Sequence, residues 1–233
     1  MRTEKIGIYT FGELSDEAKE KARQWYRDWS MDDEWWDFED FTAITECLGF
    51  EISMCLKTYS RGESRQAPMI HWQGFSTQGS GASFSATFKI RDGLRAPQRI
   101  LEYCNDEKLI GIAGTLAEAC QKFIAETGDY MLDSAVKIKQ SSSRYCHENT
   151  MFSSGELLND VSYAMGDKYP DDDLELRDAC DDLECAVLDE AKNLARWLYR
   201  SLEDEYNYRN SDEAVDESIL ENNHEFYADG GNH

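Results

Sequence analysis

Residues 169–190 read YPDDDLELRDACDDLECAVLDE, ten carboxylates and one arginine in 22 positions. Beneath the charge lies a second pattern. Leu176, Cys180, Leu183 and Val187 recur at steps of three and four, and Leu194 and Leu198 extend the seam. That period predicts one long helix from about Asp171, apolar on one stripe and acidic on the other. Upstream, the pattern changes to short alternating runs separated by turn residues. A chain with strands and shorter helices first and one long helix later is an α+β protein. The expected architecture is an antiparallel or mixed sheet of four to six strands, with helices on one side and a long acidic C-terminal helix. No linker divides the chain, so 1–233 is expected to form a single domain, an α+β core over 1–150 with an acidic helical part, 151–233, packed on it.

Working outward, EKIGIYTF (4–11) suggests a first strand. Ser15 stands where a helix N-cap is wanted, with Asp16 and Glu17 in the first turn. Ala18, Ala22, Trp25 and Trp29 give that helix one buried stripe. A second helix is expected from Asp33 to Leu48, stopping at Gly49. FEISMCLKTY (50–59) alternates as one half-buried strand, and SRGESRQAP (60–68) reads as a polar connection. Two strands joined near Gln78–Gly81 follow. Pro97 opens a helix to about Cys104, and a longer one runs from Glu107 to about Glu126. AVKIKQSSS and RYCHENTMF (135–152) form a second antiparallel pair, Ser211 caps a last helix through Leu220, and YADGGNH is a frayed tail.

The 233 residues include 47 acids and 24 bases, a net charge of −23. Such a field repels phosphate polymers and anionic membranes, and direct nucleic-acid binding is excluded on that ground. The imbalance is not uniform: residues 151–233 hold 23 acids and 6 bases, residues 1–150 hold 24 and 18. A second acidic pocket, Asp28 to Asp40, contains seven acids interleaved with Trp29, Trp35, Trp36, Phe38 and Phe41. No apolar run approaches the roughly 20 residues needed to span a bilayer. Seven cysteines form no CxxC pair and no apolar leader follows Met1, so reduced thiols in a cytoplasm are expected.

No stretch carries a catalytic or metal signature strong enough to name a reaction. Asp171, Asp173 and Glu175 imitate the opening of a calcium loop, but Leu176 stands where the turn requires glycine and Asp182 where a bidentate Glu is needed. Four histidines (71, 147, 224, 233) lack ligand spacing, there is no GxSxG elbow, and the strand neighbours Cys146 and His147 point to opposite faces. Gly79-Ser-Gly81 lacks the downstream helix and lysine of a phosphate loop, so a hairpin turn is expected there. No cofactor, metal or catalytic residue is assigned. From Asp171 to Glu190 a helix places ten acids in roughly 30 Å, a charge density close to that of one DNA strand. Two readings stand: a solvated helix face, or a surface shaped for a basic groove.

Three stretches, IYTFGELSDEAKEKARQWYRDW, HWQGFSTQGSGASF and LARWLYRSLEDEYNYRNSDEAVDESILENNHEFYADG, together resemble uncharacterised accessory proteins of tailed bacteriophages and prophages. Those share an "LSDEAKEKAREWY" opening, a "GFxxQGxGASF" hairpin and a "SDEAV" closing segment. The resemblance implies an accessory protein acting in a host bacterial cytoplasm and assigns no active site. By analogy of class it points to a counter-defence inhibitor, not an enzyme, whose DNA-mimicking surface blocks a nucleic-acid-binding CRISPR or restriction complex. The partner-binding residues would be Asp171, Asp172, Asp173, Glu175, Asp178, Asp181, Asp182, Glu184, Asp189 and Glu190, helped by Asp32, Asp33, Glu34 and Asp37. The partner is then the basic surface of a host protein. The alternative is an antitoxin-like or regulatory protein-binding module, anchored by aromatics such as Trp35, Trp36 and Trp72. A homodimer stays open.

Overall fold

The computed structural model describes residues 7–30, 37–58, 62–75, 77–141, 144–165 and 174–233. In chain order its elements are β1 (Tyr9–Thr10), α1 (Asp16–Ser30), α2 (Glu39–Cys47), β2 (Phe50–Ile52), β3 (Met54–Thr58), β4 (Ser64–Pro68), β5 (Ile70–Gln73), β6 (Gly81–Phe84) and β7 (Ala86–Lys89). There follow α3 (Ile90–Gly93), α4 (Ala96–Tyr103), α5 (Glu107–Thr127), β8 (Ala135–Gln140), β9 (Met151–Ser153), α6 (Leu157–Met165), α7 (Leu174–Arg209), α8 (Asp212–Glu221) and β10 (Glu225–Phe226). Every strand pairing is antiparallel, and the fold is α+β with a long C-terminal helix. Contacts gather into two compact units, Met1–Asp37 with Ser201–His233, and Phe38–Arg200.

In the first unit, Ser15 Oγ accepts from Ala18 N at 3.3 Å, which is the expected cap of α1. The core is Phe11, Leu14, Ala18, Ala22, Val215, Ile219 and Phe226, with Trp25 packed against it. Trp29, expected on the buried stripe, is 61% exposed and lies flat against Trp25 at 5.9 Å. The stripe is only as wide as the β1–α8–β10 surface it covers, and it ends before the last turn. Arg23 makes a bidentate pair with Asp216 at 2.6 and 2.8 Å and so ties α1 to α8. Ser211 caps α8 through Ala214 N, as its position predicts. The tail is not frayed. Its strand β10 pairs with β1, Tyr227 N donates to Gly231 O at 2.8 Å, and His233 N donates to Glu225 O at 2.9 Å.

The second unit is built on the sheet β2-β7-β8-β9. Register places Phe50, Phe88 and Val136 in one row and Ile52, Ala86 and Ile138 in the next, all buried. The alternate positions Glu51, Lys89, Lys137 and Lys139 are exposed. One wet and one dry face is what an antiparallel sheet under helices requires. On the dry side α5 contributes Leu109, Ile112, Leu116, Cys120 and Phe123, and α7 contributes the predicted seam, with Leu176, Cys180, Leu183, Val187, Leu194 and Leu198 all buried.

The stretch 50–59 is two strands, not one. Ser53 N donates to Ser85 O at 2.8 Å, Met69 N to Ser53 O at 2.7 Å and Ser85 N to Met69 O at 3.0 Å. This closed triangle joins three ribbons, β2–β7, β3–β4 and β5–β6, at one point. Past it β3 leaves the sheet, so Met54 and Leu56 are 55% and 67% exposed despite their correct alternation. The polar run 60–68 contains β4, which pairs with β3 from Met54↔Pro68 to Thr58↔Ser64. Asp33, the expected start of the second helix, lies outside the described residues, as do residues 4–6 of the first expected strand. From Glu39 the helix runs to Cys47, ahead of Gly49 at φ +93°.

The hairpin 74–84 acquires a structural reason. A Cβ at Gly79 would lie 2.7 Å from Tyr145 Cδ1, and one at Gly81 would lie 2.6 Å from His147 Cβ and 3.0 Å from its backbone nitrogen. Segment 145–147 crosses the turn at van der Waals distance, held there by Cys146 N donating to Gly79 O at 3.3 Å. Both glycines are demanded by close approach rather than by phosphate.

Candidate functional site

Helix α7 turns its apolar seam to the core, so its other residues are presented outward by the same 3.6-residue period. Glu175, Asp178, Asp181, Asp182 and Asp189 are exposed on the outward face, together with Cys185. Glu175 to Asp189 spans 14 residues, about 21 Å, so these five carboxylates fall about 5 Å apart on average along the axis. Asp182 accepts from Lys122 Nζ of α5 at 2.6 Å. Glu175, Asp178, Asp181 and Asp189 have no ion pair among the described residues. The stripe then changes sign, since Lys192, Arg196 and Arg200 follow it.

Two acids of the block do other work. Glu184 is half-buried. Its carboxylate accepts from Ser153 Oγ at 2.7 Å and from Leu157 N at 3.0 Å, closing the end of β9 onto the first turn of α6. Glu190 is also half-buried, and burial pushes its carboxyl above the ordinary range, although Asn193 Nδ2 donates to it at 3.1 Å. Asp37 is exposed in the first unit. Asp32, Asp33, Glu34, Asp171, Asp172 and Asp173 lie outside the described residues.

Glu190 lines a cleft of ≈ 410 Å³ between α5 and α7 whose cationic rim, Lys108, Arg196 and Arg200, was not read from the sequence. The local signal was present: Lys108, Gly111, Ile112 and Thr115 repeat at helical spacing, but nothing in the chain says which helix faces them.

The remaining chemistry-bearing groups are inert or unpartnered. His71 and Ser83 are directly paired across β5–β6, with Ser83 fully buried, and His71 Nε2, Ser83 Oγ and His147 Nδ1 have no hydrogen-bond partner among the described residues. Burial and the nearby Lys57 lower the His71 pKa. Burial raises the thiols, to about 12 for Cys120 and Cys180 and in the same direction for Cys146, so none is an activated nucleophile. Among the described residues no group of three or more His, Cys, Asp or Glu could hold a metal ion. Likewise, no described helix is long and apolar enough to cross a membrane.

The fold and the site together define an α+β protein that displays a row of exposed carboxylates on one face of a long helix. A family model for a domain of unknown function (DUF8835) matches residues 35–212, and the chain belongs to that family. No curated protein and no solved structure matches it.

Proposed function

We propose that the protein is a stoichiometric inhibitor that lays the outward face of α7 into a basic, nucleic-acid-binding groove of a partner protein. The observation that supports this reading is the row Glu175, Asp178, Asp181 and Asp189. These are exposed carboxylates without ion pairs among the described residues, about 7 Å apart on average over about 21 Å of one helix face, a row of like charge that a basic groove would attract. Like charges along a helix weaken it by tenths of a kcal/mol each, a cost that an electrostatic interface offsets through fast, steered association. With the resemblance to tailed-phage accessory proteins, the partner becomes a host defence complex of the CRISPR or restriction type, met in the bacterial cytoplasm.

The test is competition. Fluorescence anisotropy follows labelled duplex on a purified CRISPR effector or restriction enzyme while the protein is added. Displacement at near-stoichiometric ratio, weakening as salt rises, is the expected result. A panel of such complexes that all keep their duplex at low salt refutes the reading.

A second reading has its own observation. Trp29 is 61% exposed and stacks on Trp25, with Tyr26 at 5.7 Å, an aromatic surface suited to anchoring a protein partner. An antitoxin-like or regulatory binding module would use this surface, and its complex would resist salt that dissolves an ionic one; of the anchors expected from the sequence, Trp72 is half-buried and Trp35 and Trp36 lie outside the described residues.

A further inference from the structure

Helices α5 and α7 run antiparallel, fixed by two contacts. Trp197 Nε1 donates to Asp106 Oδ2, the α5 N-cap, at 3.0 Å, and Lys122 Nζ donates to Asp182 Oδ2 at 2.6 Å. The antiparallel order makes the cleft between them polar in a defined direction. Lys108 and Arg200 stand at one end, Thr115 and Glu190 at the other. Glu190 to Arg200 is ten residues, about 15 Å along α7.

The ends differ in what they lack. Neither Lys108 nor Arg200 has an ion pair among the described residues, in a chain with 47 acids for 24 bases. The third cation, Arg196, is occupied: it donates to Glu148 at 3.0 Å and to Asn193 Oδ1 at 2.8 Å. Two cations from facing helices, neither held in an ion pair among the described residues although Lys108 feels the nearby Asp106 carboxylate, leave at one cleft mouth a place for an anion with two or more acceptor oxygens. Between the ends the wall is buried Ile112, half-buried Trp197 and Gly111, where a side chain would meet nothing within 4 Å. At the far end Glu190 accepts one hydrogen bond, from Asn193, and a carboxylate has room for about four.

We propose that this cleft binds a nucleoside monophosphate, its phosphate between Lys108 and Arg200, its ring against Ile112 and Trp197, and an exocyclic amine toward Glu190. A bare inorganic anion would satisfy the cationic end alone and leave the apolar wall and Glu190 uncovered. A polynucleotide is opposed by the −23 charge of the whole chain, which a single phosphate monoester meets only weakly. The volume, ≈ 410 Å³, lies within the range of small-ligand pockets, roughly 300–1,000 Å³.

Calorimetric titration of the full chain with AMP, IMP, adenosine and inorganic phosphate tests this. AMP binds at least tenfold more tightly than either adenosine or inorganic phosphate. The double variant Lys108→Ala/Arg200→Ala, both surface positions, weakens AMP at least tenfold with an unchanged melting curve. IMP, which offers an acceptor where AMP offers an amine, binds more weakly than AMP. Glu190→Gln, whose amide also donates, narrows that ratio. The proposal is overturned if millimolar AMP gives no binding, if AMP binds no more tightly than inorganic phosphate, or if the double variant binds AMP as well as the parent.

Discussion

Replacing Gly81 by alanine loads both the packing of 145–147 on the turn and a backbone at φ +157°. The added methyl would lie 2.6 Å from His147 Cβ and 3.0 Å from His147 N, whereas carbon pairs settle at about 3.5–4.0 Å. Segment 145–147 must therefore retreat by about 1 Å, and backbone cannot rotate aside as a side chain can. Overpacking of this kind costs about 1–3 kcal/mol, and the Gly81 backbone at φ +157°, which a residue with a Cβ rarely adopts, adds to the loss rather than offsetting it. Gly79→Ala meets only the Tyr145 ring, which can turn, and costs less. Gly114→Ala is the control of opposite sign: it lies inside α5 with nothing within 4 Å of a Cβ, so the helix gains about 0.5–1 kcal/mol. Urea unfolding followed by circular dichroism reads the series. With a slope of about 2–3 kcal/mol/M, the Gly81→Ala midpoint falls by at least about 0.5 M while that of Gly114→Ala rises. Equal midpoints for Gly81→Ala and the parent would refute the claim that 145–147 is packed across the turn.

Other consequences follow from single groups. Lys137 and Lys139 hold the Glu156 carboxyl at about 2 against an ordinary 4.5, so its contribution is intact above pH 4.5 and disappears as pH falls toward 2; melting temperatures of Glu156→Gln and parent should converge over that interval. A thiol-reactive chromophore should label exposed Cys185 quickly and leave Cys120 and Cys180, pushed up to about 12 by burial, untouched until denaturant is added. Asp106→Ala removes the cap bonds to Lys108 N and Leu109 N at 2.8 and 3.1 Å and orphans the Trp197 indole. A loss of about 2–4 kcal/mol in urea unfolding is expected.

What was legible in the sequence was periodic. The α7 seam, the Ser15 and Ser211 caps and strand β8 follow from spacing that needs no knowledge of the rest of the chain, whereas of the expected partner strand RYCHENTMF only Met151 and Phe152 are in β9. What was not legible was relational. Ser64–Pro68 is a strand because β3 pairs with it, and the polar run SRQA holds no apolar alternation to announce that. Ser53 ends one strand and begins another only because Met69 and Ser85 reach it from 16 and 32 positions away. At the candidate site, counting acids located the block but could not sort it. Glu184 is withdrawn from the surface by Ser153 and Leu157, 31 and 27 residues away. Glu190 is drawn into a cleft whose other wall is α5.

The most direct measurement of the central claim is duplex displacement from a purified host defence complex, comparing the parent protein with Asp178→Lys/Asp181→Lys/Asp189→Lys at low and at raised salt. All three positions are exposed, so the variant should keep the parent's melting curve. The parent is expected to displace the duplex, with potency falling steeply as salt rises, and the variant to lose at least tenfold in potency. A correctly folded variant that displaces as well as the parent would contradict the account, because the face of α7 would then not be the interface.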